Sequence, residues 1–339
     1  MNRLSVSIVI AAYNGEQFIG EQLRSLFAQT YQPSEILIGD DSENDLTCKA
    51  IENVISEAVC PVRIIRNEQR KGCSENFSSL AAAAEGDIIF FCDQDDVWLP
   101  EKIEKLVKEL EAHPDIPVVF CNSCFVDKNL NDLGYTTADI LNISDRAVYE
   151  INERKDIRNY IRHPLMYGHN IAFRKDFRNY FLPIPDRIKS YDLYINYVTS
   201  VKLFRYVPEN LTLFRRHGTN TSPQMTFWQR LRSIMAGNQG YEIFDTWNHL
   251  DAAVEELEKK NIPEAVNKMQ NFEFLKHCRD FFRKRLIRLS GNFLSRLKTV
   301  FFLKDYFVYG TGIKSFARDI IFGIKLTEEM KCKFYSGNQ

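Results

Sequence analysis

Short apolar runs alternate with helical periodicity over the first 110 residues. Val6 to Ala11 reads as a strand, Gln17 to Gln29 as a helix, Glu35 to Gly39 as a strand and Leu46 to Ala58 as a second helix. The rhythm then repeats. Val62 to Arg66 is strand-like, Ser74 to Ala84 reads as a helix capped by Ser74, Asp87 to Cys92 is an apolar strand, and Pro100 to Glu111 is a helix with proline in its first turn. This predicts an α/β fold with a doubly wound, mostly parallel sheet flanked by helices. Loops at the C-terminal ends of such strands gather over a common crevice.

The pattern changes further along. Val118 to Val126 reads as another strand, Asn129 to Asp145 as a polar ordered loop or flap, and regular structure resumes near Gly168 to Phe173. Past Pro223 the chain turns helical and strand-poor: Trp228 to Met235, Tyr241 to Lys259, Ile262 to Leu289 and Phe293 to Leu303 all accept helical templates. We therefore divide the chain into residues 1–222, carrying the sheet, and residues 223–339, a helical C-terminal extension.

Composition narrows the class without naming a chemistry. At 339 residues, with 45% hydrophobic and 26% charged residues and a formal net charge of −1, the chain is an ordinary globular protein with no general affinity for nucleic acid. Charge is uneven, however. Phe272 to Lys325 holds 12 Lys or Arg against 4 Asp or Glu, and this basic, aromatic-rich end suits either packing as a helical cap or peripheral contact with an anionic membrane. No apolar stretch approaches the roughly 18 residues that span a bilayer, and the N-terminus has no secretory pattern, so a cytoplasmic location is expected. Eight cysteines without paired spacing are expected to be reduced and buried, Cys121 and Cys124 included.

Three predicted strand ends carry polar residues that a parallel sheet brings together. The first is Ala11-Ala12-Tyr13-Asn14-Gly15, where small residues admit a ligand to the backbone and Tyr13 offers a flat face for a base. The second is Asp40-Asp41-Ser42, whose carboxylates can accept from a base N–H or ribose hydroxyls, followed by Asp45, which also reads as the cap of the next helix. The third is Asp93-Gln94-Asp95-Asp96, with Asp93 and Asp95 on the same side of an extended segment, one for a ribose and one for a divalent cation. No glycine-rich phosphate loop of either common spacing is present, so a metal-held diphosphate fits better than a backbone-cradled one.

Taken in order, Ser7-Ile8-Val9-Ile10-Ala11-Ala12-Tyr13-Asn14-Gly15, Asp40-Asp41-Ser42 and Asp93-Gln94-Asp95-Asp96-Val97-Trp98-Leu99-Pro100 resemble the inverting family 2 glycosyltransferases of the GT-A fold, over roughly residues 5 to 222. The last motif is most similar to rhamnosyltransferase-like enzymes of bacterial surface polysaccharide assembly. The resemblance implies that Tyr13 stacks on the pyrimidine of a UDP- or dTDP-sugar beside the Ala11 backbone, that Asp41 accepts from the base, with Asp40 less defined, and that Asp93 faces the ribose. It also implies that Asp95 binds Mg²⁺ or Mn²⁺ and that Asp96 lies nearer the acceptor or the sugar.

Two later segments complete the resemblance. Tyr167-Gly168-His169-Asn170-Ile171-Ala172-Phe173-Arg174 precedes Ser190-Tyr191-Asp192, which makes Asp192 the base for the acceptor hydroxyl, although Tyr191 stands where a second acid often sits; Asp186 is the other candidate. Arg215-Arg216-His217 resembles a closing loop in which His217 completes the metal site and Arg215 or Arg216 meets the diphosphate. His163 and His169 read as packing or acceptor-side groups. The implied activity is metal-dependent inverting transfer of rhamnose, galactose or glucose to a hydroxyl of a bacterial, polyprenyl-linked glycan at the inner face of the membrane. A sugar-1-phosphate nucleotidyltransferase and a non-catalytic carbohydrate-binding module are the alternatives.

Overall fold

The computed structural model describes residues 3–154, 160–161, 166–201, 204–218, 239–260, 266–310 and 312–336. The chain divides into two compact units, residues 1–219 with 256–263, and residues 220–255 with 264–339.

The first unit is built on a sheet that, among the described residues, has nine strands: β1 (Val6–Ala12), β2 (Glu35–Asp40), β3 (Val62–Arg66), β4 (Ile88–Cys92), β5 (Val97–Trp98), β6 (Val118–Val126), β7 (Asp132–Thr136), β8 (Ile171–Arg174) and β9 (Phe204–Arg215). The spatial order is β3-β2-β1-β4-β8-β6-β9-β5, with β7 also on β6. β1, β2, β3 and β4 are mutually parallel. β8 enters in the opposite sense between β4 and β6, which turns β6 and its parallel partner β9 back into the common direction. Six strands therefore share one direction, and only β8 and the short β5 and β7 oppose it.

The helices explain why the sheet winds both ways. α1 (Ile19–Phe27), α2 (Leu46–Ile55) and α4 (Lys102–Ala112) cover one face, where Ile8, Ile10, Phe90 and Cys92 pack with Leu23, Ile51, Ile103 and Leu106. α3 (Cys73–Ala83) covers the other, where Phe77 meets Phe91 at 4.9 Å between ring centroids. The Ile-Ile-Phe-Phe-Cys run of β4 is wholly buried because its alternate residues serve the two faces. The crossovers from β1 through β3 progress outward to one side, and the β3-α3-β4 crossover then jumps back past β1. Between β1 and β4 lies the topological switch point, where such sheets open a crevice.

Several local expectations are corrected. α3 starts one residue early, with Gly72 at φ +80° as its cap, and the Ser74 hydroxyl is spent on the Lys189 carbonyl. Asp45 stands at the α2 cap but its carboxylate pairs with Arg66, and the Asn44 side chain takes the Leu46 N–H instead. The loop expected over 129–145 contains β7 and the helix Thr137–Leu141, closed by a reciprocal Thr136–Asp139 capping box. β7 escapes periodicity because it is short, exposed and broken by Gly134 at φ +77°. The eight cysteines are free as expected, but Cys73 and Cys332 are exposed rather than buried. Cys121 and Cys124 sit three apart on β6 and so point to opposite faces.

In the second unit, Ile243, Phe244, Trp247, Leu286, Leu289, Ile324 and Phe334 form a separate apolar core. Buried Arg285 donates twice to Asp319, at 2.6 and 3.0 Å, and the Tyr306 hydroxyl adds a third bond to that carboxylate at 2.8 Å. No helix among the described residues is long and apolar enough to cross a membrane. The helix expected at Trp228 to Met235 lies outside the described residues, as does His163.

Candidate active site at the sheet switch point

Gln94, just past β4, latches the two strands that flank the switch point. Its side chain accepts from the Tyr13 N–H at 2.9 Å and donates to the Tyr13 carbonyl at 3.0 Å, so it mimics a strand partner where the ladder has ended. Asn14 is held at φ 48°, its N–H donating to the Ser42 hydroxyl, and the Gly15 N–H donates to Thr47. A Cβ on Gly15 would lie 2.2 Å from the Gln94 oxygen, so glycine is required by the latch itself.

Beside this turn, the Arg70 guanidinium lies 3.8 Å from the Tyr13 ring centroid and covers one face of it. Arg70 is carried by the 67–72 loop, and that loop is organised by Asp41. One Asp41 oxygen accepts from the Asn67 amide at 2.8 Å and the Lys71 N–H at 3.2 Å, and the other accepts from the Gly72 N–H at 2.8 Å. Asp40 is fully buried and accepts from the Ser42 N–H and the Cys48 thiol, which shapes the turn after β2. Tyr13, Asp41 and the Ala11-Ala12 backbone are thus brought together, with Asp40 behind them.

The acids after β4 occupy three different environments. Asp95 meets His217 across 2.7 Å between Oδ2 and Nε2. Asp96 is wholly buried; one oxygen accepts the Arg215 N–H at 3.0 Å and the other makes no hydrogen bond among the described residues. Asp93 is one-third exposed, 33%, and faces His169 Nδ1 at 3.7 Å, with Asp96 on the same nitrogen at 3.8 Å. Burial, then the like charge of Asp93, pushes the Asp95 carboxyl up against the opposing His217 bond. Burial, then Asp95 and Asp93, pushes Asp96 well up.

Three carboxylates and two imidazoles are gathered here, a donor set that could hold a divalent cation. Asp93, Asp96 and His169 form an adjoining set whose ligand atoms lie within 4.8 Å of one another. His169 is buried, its Nε2 on the Ser123 hydroxyl at 3.0 Å, and burial pushes its pKa down, so a neutral imidazole faces the acids. Beneath it lies Lys102, fully buried, donating to the His169 carbonyl and the Thr212 hydroxyl at 2.7 Å each and standing 3.8 Å from the Trp98 ring centroid. Its charge offsets Asp96 from behind the crevice.

Arg215 departs from the expected place. Its guanidinium is buried and donates to the Asp95 carbonyl, the Lys128 carbonyl and Glu21, at 2.8, 2.8 and 2.5 Å, so here it binds the 215–217 loop to the acid turn. Arg216 lies over the rings of Phe125 and Phe214, 5.3 Å from each centroid.

Opposite the acid turn, Asp192 sits half-buried in the first turn of the helix Tyr191–Thr199. Asp192 and Arg216 both act on the Tyr167 hydroxyl, which burial pushes up. Cys73 connects the two sides: its thiol, at the mouth of α3, is pushed up by its surroundings and by Asp93, Asp192, Asp41 and Asp95 together. Tyr191 is not solvent-facing but packs its ring between Phe77 and Phe91, at 4.5 and 5.5 Å, and over Gly168. Asp186 is exposed in the turn before that helix.

A Cβ on Gly168 would come within 1.9 Å of the Tyr191 hydroxyl and 2.4 Å of its ring. Gly168→Ala should therefore displace Tyr191, costing about 1–3 kcal/mol. Thermal unfolding should drop by roughly 3–10 °C, and an unchanged midpoint would show that the ring moves aside freely.

Arg70, Gln94, Asn67, Lys102 and His169's inward aim were not read from sequence. The 67–72 loop did carry a signal, since a polar loop after a parallel strand belongs at the same edge as the other strand ends.

Comparison with known proteins agrees with this arrangement. The sequence model of Glycosyl transferase family 2 matches residues 7–181. An uncharacterized glycosyltransferase of Haemophilus influenzae is 28% identical over 226 residues, 64% of this chain and 67% of that protein. Uncharacterized glycosyltransferase alr2836 of Nostoc is 24% identical over 220 residues, 64% of this chain and 66% of its own length. Among solved structures, S. aureus TarS 1-349 in complex with UDP superposes with a TM-score of 0.52 at 17% identity, covering 96% of this chain and 97% of that one. The mannosyltransferase PcManGT from Pyrobaculum calidifontis, in complex with GDP-Man and Mn2+, gives 0.52 at 15% identity, covering 100% and 89%. These likenesses carry the fold, a GT-A-type curled sheet with C-terminal helices. With the family match spanning more than half of the residues, including all three polar strand ends, the chain belongs to glycosyl transferase family 2.

Proposed function

We propose that this glycosyltransferase is metal-dependent and inverting, and that it moves a hexosyl or deoxyhexosyl group, of the rhamnose, galactose or glucose class, from a UDP- or dTDP-sugar to a hydroxyl of a growing glycan. The observation that carries the reading is the convergence of Asp93, Asp95 and His217 beside Tyr13, with Asp192 sharing Cys73 as a neighbour from the opposite wall.

In this reading the base of the nucleotide lies on the free face of Tyr13, within reach of Arg70 and of the loop that Asp41 holds. Asp93, the most exposed acid of its turn, receives the ribose hydroxyls. Asp95 and His217 would hold Mg²⁺ or Mn²⁺, which when bound would supply positive charge to stabilise the departing diphosphate. Arg216 adds its guanidinium to that diphosphate, while Arg215 and Asp96 fix the loop that carries His217. Asp192 takes the proton from the acceptor hydroxyl as that oxygen attacks the anomeric carbon opposite the leaving group, which inverts the centre. The acceptor is a surface glycan on a polyprenyl carrier, reached from the cytoplasmic side of the membrane.

A nucleotidyltransferase would need a glycine-rich basic loop after β1, and Tyr13-Asn14-Gly15-Glu16 is none. A non-catalytic binding module has no use for a buried acid under positive-charge deficit. Screening UDP-, dTDP- and GDP-sugars with Mn²⁺ or with chelator tests the reading. At a hundredfold excess over Kd, a true donor adds about 2.7 kcal/mol. The melting midpoint should rise by roughly 5–10 °C, and chelation should erase the gain. No shift and no donor hydrolysis with any of them in Mn²⁺ would leave the binding-module reading in its place.

A further inference from the structure

The helical segment after Leu289 has its amphipathicity turned outward. Phe293, Leu294, Leu297, Val300 and Phe301 recur at the spacing of one helical face, yet all five are exposed, Phe301 at 82% and Leu294 at 68%. A helix face of that composition normally seals a core. Nearby, the helix Ile313–Phe322 ends in exposed Ile321 and Phe322. Arg296 joins the two: it donates to the Ile320 and Ile321 carbonyls at 3.4 and 3.3 Å while its guanidinium lies 5.5 Å from the Phe293 ring centroid. The outward apolar groups are therefore one patch, not scattered single residues.

The charge along the first of these segments has one sign. From Phe281 to Lys304 there are seven Lys or Arg and no Asp or Glu. Only Arg285 among them is consumed by a buried carboxylate, while Lys284, Lys298 and Lys304 are exposed. Outward aromatic and aliphatic side chains ringed by exposed lysines complement a surface that is apolar at depth and anionic at its edge. We propose that this face of the second unit docks on an anionic lipid bilayer, with Leu294, Phe301 and Ile321 entering the headgroup–acyl boundary and Lys298 and Lys304 meeting lipid phosphates. A protein partner would have to offer a concave, acid-lined counterpart for the same knobs. The inference goes beyond sugar transfer and stands apart from it, because lipid binding needs no donor.

The full chain should sediment with vesicles of phosphatidylcholine and phosphatidylglycerol in equal parts and stay in solution with phosphatidylcholine alone. Leu294→Ser with Phe301→Ser should weaken that binding by about tenfold or more, and Lys298→Glu with Lys304→Glu should do the same. Both double variants are at exposed positions and should keep the circular dichroism and melting midpoint of the parent. Absence of parent binding, or binding that ignores the Leu294→Ser and Phe301→Ser pair, overturns the proposal. So does a vesicle-independent dimer that the same pair dissolves, which would assign the face to a second copy of the chain.

Discussion

Replacing Asp95 by alanine should reduce sugar transfer by about three orders of magnitude or more, the scale expected when charge stabilisation of a leaving group is removed. Asp95 supplies the oxygen that faces His217 at 2.7 Å, so the variant loses one member of the pair proposed to hold the cation. The fold should survive. The Arg215 guanidinium is held by the Asp95 carbonyl, not by its carboxylate, and the Arg215 N–H rests on Asp96. Removing a carboxyl that burial and Asp93 already disfavour as an anion should leave the melting midpoint of the metal-free protein level or slightly raised. The discriminating measurement is the difference in melting midpoint with and without Mn²⁺, which should vanish in the variant along with turnover. A variant that keeps both would place the cation on the adjoining Asp93, Asp96 and His169 set.

Asp192→Asn should split binding from chemistry. The amide keeps the shape and can still accept the Leu193 N–H that the carboxylate receives at 2.8 Å, but it cannot take a proton. Turnover should fall by about 10²–10⁴, the usual contribution of a positioned general base. Donor affinity, measured by titration calorimetry with Mn²⁺ present, should stay within about twofold, because the base and ribose contacts proposed above come from the β1, β2 and β4 ends. Turnover near that of the parent would transfer the role elsewhere, and the same exchange at Asp186, exposed in a separate turn, serves as the control.

What could be read from the residues alone follows the range of the forces involved. The winding of the sheet was legible because β1, β2 and β4 are buried on both faces and announce it as continuous apolar runs. The meeting of the strand ends followed from parallel topology. Asp95 and His217 were paired only through a family resemblance, since nothing local to either residue points to the other. Roles set by long-range packing were not legible at all. Asp41 reads as a ligand-facing acid, yet its oxygens are met by donors 26 to 31 residues away. Arg215 is expected at the diphosphate and is instead bonded within the acid turn. His169 reads as a packing or acceptor-side group, and its aim at Asp93 and Asp96 depends on β8 entering antiparallel beside β4. Tyr191 reads as a gap in an acid pair, and only its packing on Gly168 shows why a ring occupies that place.

The short antiparallel pairing of β5 with β9, Val97 with Leu213 and Trp98 with Thr212, bears on synthesis as well as on chemistry. It staples the acid turn to a loop more than a hundred residues later, and together with the Arg215 bonds to Asp95 and Asp96 it brings His217 to Asp95. A ribosome making this chain releases β1 to β4 first and His217 long afterwards. Until then the growing polypeptide has a row of clustered acids and a β6 edge without its β9 partner. Premature termination before β9 would consequently yield a product that lacks His217 and is prone to edge-to-edge association.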